Sequence, residues 1–336
     1  DIIAAKALDI LENELVMAKL VYRGNESDYS KKVNGYKPGE TISIRRPTDF
    51  TVRDGATVDI QDVVEGTTSI TIDKQKGVDF KFTSSDRTLK IDELADRVIK
   101  PAMVQLANQV DKDLMALYKY VPNWVGTAGN TVDSYADFAK APLRLDETAV
   151  MQDGRAAVLS PTDHWGLLGS QTALYMQDVA KGAYRNGSLG MIGGVDTYMS
   201  QNVPAHTVGS DASGTVNQSI TTSTITYASV KDTMQQTITT SSVALNPGDV
   251  FTIADVNEVN PVTKASTGNA KQFTCISYSS NSLVFYPAII WTGAFQNAAI
   301  TSGVTDLNTK AITAVGTATN SYRQNLVFHK NAFALA

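Results

Sequence analysis

One cysteine and three histidines among 336 residues leave this chain poor in the side chains that build covalent staples and metal centres. Cys275 by itself cannot form an internal disulfide framework or a Cys-based zinc site, and it reads as a small apolar filler in a strand. His164, His206 and His329 lie far apart, with no second ligand three or four residues away, so the sequence implies no metal and no cofactor. Gly-x-Ser-x-Gly elbows, Walker loops and paired-carboxylate signatures are absent, and Asp163 beside His164 has no serine that the sequence pairs with it. Nothing reads as an active site, and the expectation is a protein that is not an enzyme. Positive charge is short as well. Lys and Arg number 29 against 34 Asp and Glu, a net charge of −5. That excludes a nucleic-acid binder held by a basic face and leaves at most weak, non-specific contact with DNA. The longest apolar run, Leu283 to Trp291, is interrupted by Pro287 and falls far short of a membrane span.

What is present is a chain long enough to bury one large core and, by its length, two. Its longest uniform stretch is Asp92 to Val121. Ile99, Met103, Leu106, Val110, Leu114, Leu117 and Val121 recur at steps of three and four, which at ~100° per residue predicts one narrow apolar stripe. Gln105, Asn108, Lys112 and Lys119 lie opposite. At ~1.5 Å per residue the stretch predicts a spine of roughly 45 Å. Ser84 and Ser85 are cap candidates ahead of it; Pro101 either sits at the first position of a helix that begins at Lys100 or bends the rod, the bend being the expectation, and Pro122 closes it.

Asp1 to Val21 has helical spacing, and Gly24 to Tyr36 reads as a polar, extended connection. From Gly39 the pattern alternates in Thr41 to Arg45, Thr67 to Asp73 and Val78 to Phe82. These runs predict a long two-stranded ribbon whose tip, with Asp54, Gly55, Asp59, Gln61, Asp62 and Glu65, is polar. With so little to bury, such a ribbon is marginal in water; it rests on another subunit, or it lies as an ordinary hairpin over its own core. After the spine come a helix at Tyr135 to Leu145, a buried strand at Arg155 to Leu159 and a helix at Thr162 to Leu168 capped by Thr162 or Ser160. Leu174 to Gly182 continues the helical pattern. Gly187, Gly190, Gly193 and Gly194 then form a loop before an edge strand, Val195 to Met199.

Near His206 the composition changes. Gly209 to Ser321 is rich in Ser, Thr, Asn and Val, and carries short alternating runs at Ile220 to Tyr227, Gln236 to Val243, Val250 to Ala254, Phe273 to Tyr278 and Leu283 to Phe285. The turn Asn246-Pro247-Gly248-Asp249 separates two of them. This predicts a small closed or sandwich-like β domain. Asn257 to Asn269, without periodicity, reads as a long exposed loop. At Asn325 the composition reverts to that of the region before His206, and the apolar stretch at Ala336 suggests that the natural chain runs on. Contacts with other copies are expected from Arg45, Arg46, Asp54, Asp59, Asp62, Glu65, Lys74 and Lys76 on the ribbon and from Asn257, Glu258 and Lys264 on the loop.

The order of these elements resembles the major capsid (coat) proteins of tailed bacteriophages, which share the Hong Kong 97-like fold, and among them the podovirus coat branch with an inserted β domain. The residues that carry the resemblance are Gly39 to Pro47, Asp79-Phe80-Lys81-Phe82, Pro101 to Ala107, Gly190 to Pro204 and Asn325 to Phe333. It implies an α+β fold in five parts: an arm (1–38), an extended loop (39–83), a peripheral domain with the spine helix (84–132), an axial domain in two segments (133–207 and 325–336) and an inserted β-barrel-like domain (208–324). It also implies an icosahedral shell enclosing a phage genome and built of hexamers and pentamers of the chain. A scaffolding protein, a portal and a decoration protein are implied as partners, and assembly in the bacterial host cytoplasm. Some members crosslink a Lys to an Asn, but nothing marks a partner for Lys74, Lys76 or Lys81, which read as solvated. Two alternatives stay open: an encapsulin-like compartment, which would lack the insertion, and a carbohydrate-binding module with Trp291 and Tyr286 as a stacking platform.

Overall fold

In the computed structural model of the chain, the described residues are 7–11, 15–24, 41–52, 55–58, 60–79, 95–171, 187, 189–222 and 224–335. The predicted connection at 25–36, the caps Ser84 and Ser85, the strand end at 80–82 and the helix from Leu174 to Gly182 lie outside them.

Within the predicted amino-terminal helix, residues 7–11 are helical, residues 15 and 16 are not, and a second turn, α1, spans Met17–Leu20. The chain then runs beside the far end of the sequence, with the Tyr22 amide donating to the Phe333 carbonyl at 3.0 Å. Strands β1 (Thr41–Arg45) and β2 (Thr67–Thr71) pair antiparallel, Thr41 opposite Thr71 and Arg45 opposite Thr67. Val78 and Asp79, predicted to extend the ribbon, are not in a strand.

The spine changes winding along its length, from a π turn at Ala95–Ile99 to α2 (Lys100–Met115) and a 3-10 end at Ala116–Tyr120. Pro101 sits in the first turn of α2, where a missing amide leaves no intrahelical bond unmade. The buried face is rotated from the predicted stripe. Ala107, Asp111, Leu114, Met115 and Tyr118 are buried, whereas Met103, Leu106, Val110, Leu117 and Val121 are half-buried. Asp111 explains the rotation: its buried carboxylate accepts from the Val16 and Ala18 amides at 2.9 and 3.3 Å. Those are orphan donors at the start of α1, so an acid on the core face holds the amino-terminal segment.

Helix α3 (Tyr135–Glu147) begins at a Ser134 cap, and α4 (Pro161–Gln171) follows Ser160, whose hydroxyl accepts from the Asp163 amide at 3.2 Å. Between them β3 (Arg155–Leu159) is buried along its whole length. Ala156 and Val158 face the spine core with Leu114, Met115 and Phe328; Ala157 and Leu159 face Phe138 of α3 and Leu167 of α4. A strand buried on both faces reads as a continuous apolar run, as Ala156 to Leu159 does after Arg155. Strand β4 (Met191–Ile192) turns through Gly193 and Gly194, at φ +57° and +77°, into β5 (Val195–Met199). Because β4 takes the outer position and β5 pairs parallel with β3, Val195 to Met199 is an interior strand, not the predicted edge.

The chain leaves this layer through β6 (Ala205–Thr207) and enters an antiparallel barrel closed by β7 (Ser213–Val216), β8 (Gln236–Ser241), β9 (Val250–Val259), β10 (Ser266–Ser279), β11 (Ser282–Tyr286) and β13 (Ala311–Ala314), with β12 (Ala298–Ile300) added to β9. It returns through β14 (Ser321–Arg323), which pairs with β6, to β15 (Leu326–His329), which pairs with β3. Phe251, Phe273 and Phe285, with no exposed surface, fill the barrel at ring-centroid distances of 5.7, 5.7 and 5.1 Å. Two expectations fail here. The described residues of 220–226 are in no strand and lead into the short helix α5 (Tyr227–Val230). Asn257 to Asn269 is no long loop: β9 and β10 carry pairing out to Val259 and Ser266, and Asn260 closes the turn by accepting from the Val262 and Thr263 amides. Polar alternation hid both arms.

Candidate assembly surfaces

Among the described residues, the ribbon carries a concentration of exposed large apolar side chains. Its stem places Ile42, Ile44 and Ile70 on one half-buried face and Thr41, Ser43, Arg45, Thr67 and Ser69 on the other. Beyond the stem, Gln61 acts as a rung between the two arms, accepting from the Thr51 amide at 2.8 Å and donating to its carbonyl at 2.7 Å. The tip exposes apolar side chains beside the polar Gly55, Asp62 and Glu65 that were predicted there. Phe50, Val52, Val58, Ile60 and Val63 are 53%, 97%, 73%, 86% and 62% exposed. Burying each would contribute about 1.5–3 kcal/mol, and several such side chains on one excursion mark an interaction surface.

The polar residues expected to make contacts are mostly occupied within the chain. Arg45 pairs with Glu65 at 3.0 Å, and the Arg46 guanidinium donates to the Thr68 hydroxyl at 2.5 Å. Asp62 is exposed, while Asp54 and Asp59 lie outside the described residues. Lys74 and Lys76 each stand 3.9 Å from Asp113 of the spine. Lys264 pairs with Asp49 at 3.0 Å, and Asn257 donates to the Thr301 hydroxyl at 3.3 Å. Glu258 is the clearest correction: it is buried between Arg144 of α3, in direct contact, and Lys271, 3.9 Å away. Burial pulls the Lys271 amine below its ordinary value, Glu258 opposing and Arg144 reinforcing the shift. An acid predicted on an exposed loop therefore joins the barrel to α3. Asn260 and Asn269 add to that join, donating to the Glu147 carbonyl and carboxylate.

A second join was not foreseen. His206 contacts the Asp249 carboxylate at 2.7 Å through Nε2 and the Tyr118 hydroxyl at 2.8 Å through Nδ1, and all three residues are buried. The other Asp249 oxygen accepts from the Asn246 and Gly209 amides at 2.6 and 3.0 Å. Burial, then the nearby Asp249 charge, raises the Tyr118 phenol above its ordinary value. Thr274 donates to the Lys119 carbonyl, and Gln272 clamps the Trp124 amide and carbonyl. The Asn-Pro-Gly-Asp turn was the one sequence signal pointing here.

Chemistry-bearing residues are dispersed. Asp163 accepts from Ser160, Asn325 and the Val132 amide, while His164 Nε2 meets the Gly187 carbonyl. These groups line or flank a cavity of about 720 Å³ beneath residues 121–132, and their polar contacts hold the walls together. Among the described residues no three His, Cys, Asp or Glu side chains gather as a metal set, and no helix is long and apolar enough to cross a membrane. Cys275 is fully buried, its thiol pushed up to about 12 by burial and by Asp249. Trp291, 4% exposed, packs in the barrel core and offers no stacking platform.

The family described as P22 coat protein, gene protein 5, matches residues 1–336, insertion included. Among solved structures, one from Mycobacterium phage Che8 is similar, at 17% identity and a TM-score of 0.46, over 94% of this chain and 91% of that one. The bacteriophage PhiM1 mature capsid is similar at 14% identity and a TM-score of 0.33, over 82% and 81%. The CUS-3 coat protein I-domain aligns at 24% identity and a TM-score of 0.24, over 32% of this chain and 97% of its own. No match was found among curated proteins.

Proposed function

We propose a division of labour within the subunit from this premise: the chain belongs to the P22 coat protein family and is a major capsid protein that forms a phage shell from many copies of itself. The ribbon of 39–83 lies over a neighbouring copy; residues 84–132 with the spine form the periphery of each capsomer; residues 133–207 and 325–336 surround its axis; residues 208–324 are the inserted barrel and residues 1–38 the arm. Capsomers are hexamers and pentamers. They assemble in the bacterial host cytoplasm with a scaffolding protein and a portal, and a decoration protein binds the finished shell. A net charge of −5 suits a wall that must not grip the DNA it encloses.

The observation that carries this reading is the exposure of Phe50, Val52, Val58, Ile60 and Val63 on a two-stranded ribbon. Exposed apolar surface of that kind marks an interaction site, and in a shell of identical subunits the cover at hand is another copy. Replacing Phe50, Val52, Val58 and Ile60 together by Ser tests it. The subunit is expected to keep its thermal midpoint and to fail to close shells by negative-stain electron microscopy. Normal particles from this variant would overturn the assignment of the ribbon.

A further inference from the structure

The ribbon is mounted on the barrel at its base. Asp232, just after α5, accepts through Oδ1 from the Thr67 amide at 2.9 Å and from the Thr67 hydroxyl at 3.1 Å. The neighbouring Lys231 ammonium donates to the Glu65 carbonyl at 3.2 Å. Between these two ribbon residues, Gly66 passes so close that an added Cβ would stand 2.3 Å from the Lys231 carbonyl oxygen. The Gly66 carbonyl in turn accepts from the Arg46 amide at 2.8 Å, so both arms are fixed at this point. On the other arm, Asp49 meets Lys264 from the turn between β9 and β10.

The mount is itself packed. Val230, Ala288 and Ile290 form a small buried core, with Tyr227 stacked on Phe295 at 3.5 Å and 7°. The Met234 carbonyl accepts from the Ala288 amide at 2.7 Å. From there the barrel reaches α3 through the buried Glu258, the end of the spine through Thr274 and the segment after the spine through Gln272. A continuous series of packed and hydrogen-bonded groups thus links the axial layer to the point where the ribbon departs.

We propose that Asp232 and Lys231 are positioning residues for assembly: they fix the direction in which the ribbon leaves the subunit, so that the inserted barrel aims the ribbon's apolar face at the neighbouring copy. The inference rests on the ribbon being the element that covers that neighbour. A carboxylate holding two donors at the base of an otherwise uncovered excursion removes the freedom to swing about the base, and preorganisation of this kind lowers the entropy lost on association. The Thr67 amide, then its hydroxyl, and more weakly Lys231 and Arg46, hold the Asp232 carboxyl below the usual aspartate range, in keeping with an ionised acceptor.

Three variants of the full chain test this: Asp232→Ala, Asp232→Asn and Gly66→Ala, each scored for thermal midpoint and for closed particles by electron microscopy. Asp232→Ala removes both acceptor contacts at an exposed site and is expected to leave the midpoint unchanged while closed shells give way to open or mis-sized ones. Asp232→Asn keeps a carbonyl oxygen for both donors and is expected to restore normal shells. Gly66→Ala is expected to match Asp232→Ala, because its Cβ drives the ribbon off the Lys231 carbonyl. Normal shells from Asp232→Ala overturn the proposal, as does equal failure of the Ala and Asn variants, which would make charge rather than geometry the cause. If the four-serine ribbon variant fails to assemble while Asp232→Ala assembles normally, the aiming role falls and the ribbon contact stands; if the four-serine variant assembles, both fall.

Discussion

Strands β2 and β8 are written in nearly the same letters, Thr-Thr-Ser-Ile-Thr and Gln-Thr-Ile-Thr-Thr-Ser, yet they live in opposite surroundings. In β8 every second residue, Gln236, Ile238 and Thr240, is buried in the closed barrel; in β2 the corresponding Thr68 and Ile70 are only half-covered. Alternation specifies which face of a strand can be buried and not whether its own chain supplies the cover. The barrel closes on itself, whereas the ribbon ends in Val52 and Ile60 facing solvent. One region is covered within the subunit, and the other leaves its apolar side chains uncovered.

The comparison breaks first at the barrel's centre. Phe273→Ala opens a void among three fully buried rings and is expected to cost about 3–5 kcal/mol in urea unfolding, while Ile70→Ala on the half-covered stem is expected to cost under about 1 kcal/mol. Equal losses from the two would mean that the ribbon is as well packed as the barrel, and the contrast would fail.

Much of the fold was legible in the sequence. The spine, the buried strand Arg155 to Leu159, the Asn-Pro-Gly-Asp turn and the change of composition near His206 all carry local signals, in periodicity, in residue usage or in turn chemistry. What escaped was set by distant partners. Glu258 reads as a loop acid until Arg144, over a hundred positions upstream, is seen beside it; Asp111 reads as a polar interruption until the amides of Val16 and Ala18 reach it. The tip reads as polar because its acids stand out and its valines are scattered among them. A period-two pattern broken by turns gave no means of seeing that Phe50, Val52, Val58 and Ile60 would all stand uncovered.

Asp111 offers a mid-sized test of how the covered region ends. Removing its carboxylate in Asp111→Ala leaves two amides at the start of α1 without their acceptor, at an expected cost of about 1–3 kcal/mol. Asp111→Asn keeps one acceptor oxygen and is expected to lose less. Chemical denaturation measures both, and limited proteolysis is expected to cut ahead of Met17 sooner in the Ala variant. Unchanged stability and cleavage would place the amino-terminal segment with the uncovered parts of the molecule.

The finest contrast moves stability hardly at all and is read by thiol labelling. Cys275 has no exposed surface and a thiol pushed up to about 12, so at pH 8 it is both covered and protonated. Relative to a free thiol near 8.5, that shift alone removes on the order of 10³-fold of the reactive thiolate. A thiol introduced by Val52→Cys stands at a position 97% exposed, where the change is expected to alter stability by less than about 0.5 kcal/mol. Free subunits carrying Val52→Cys should label at that position at the rate of an unfolded peptide, and at Cys275 only as fast as the barrel opens. In closed particles the introduced thiol should become protected as well, since a neighbour now covers it. Rapid labelling of Cys275 in the native subunit would show the barrel to be open; a position-52 thiol equally reactive in free subunits and in shells would show that the tip of the ribbon is left bare in the assembled wall.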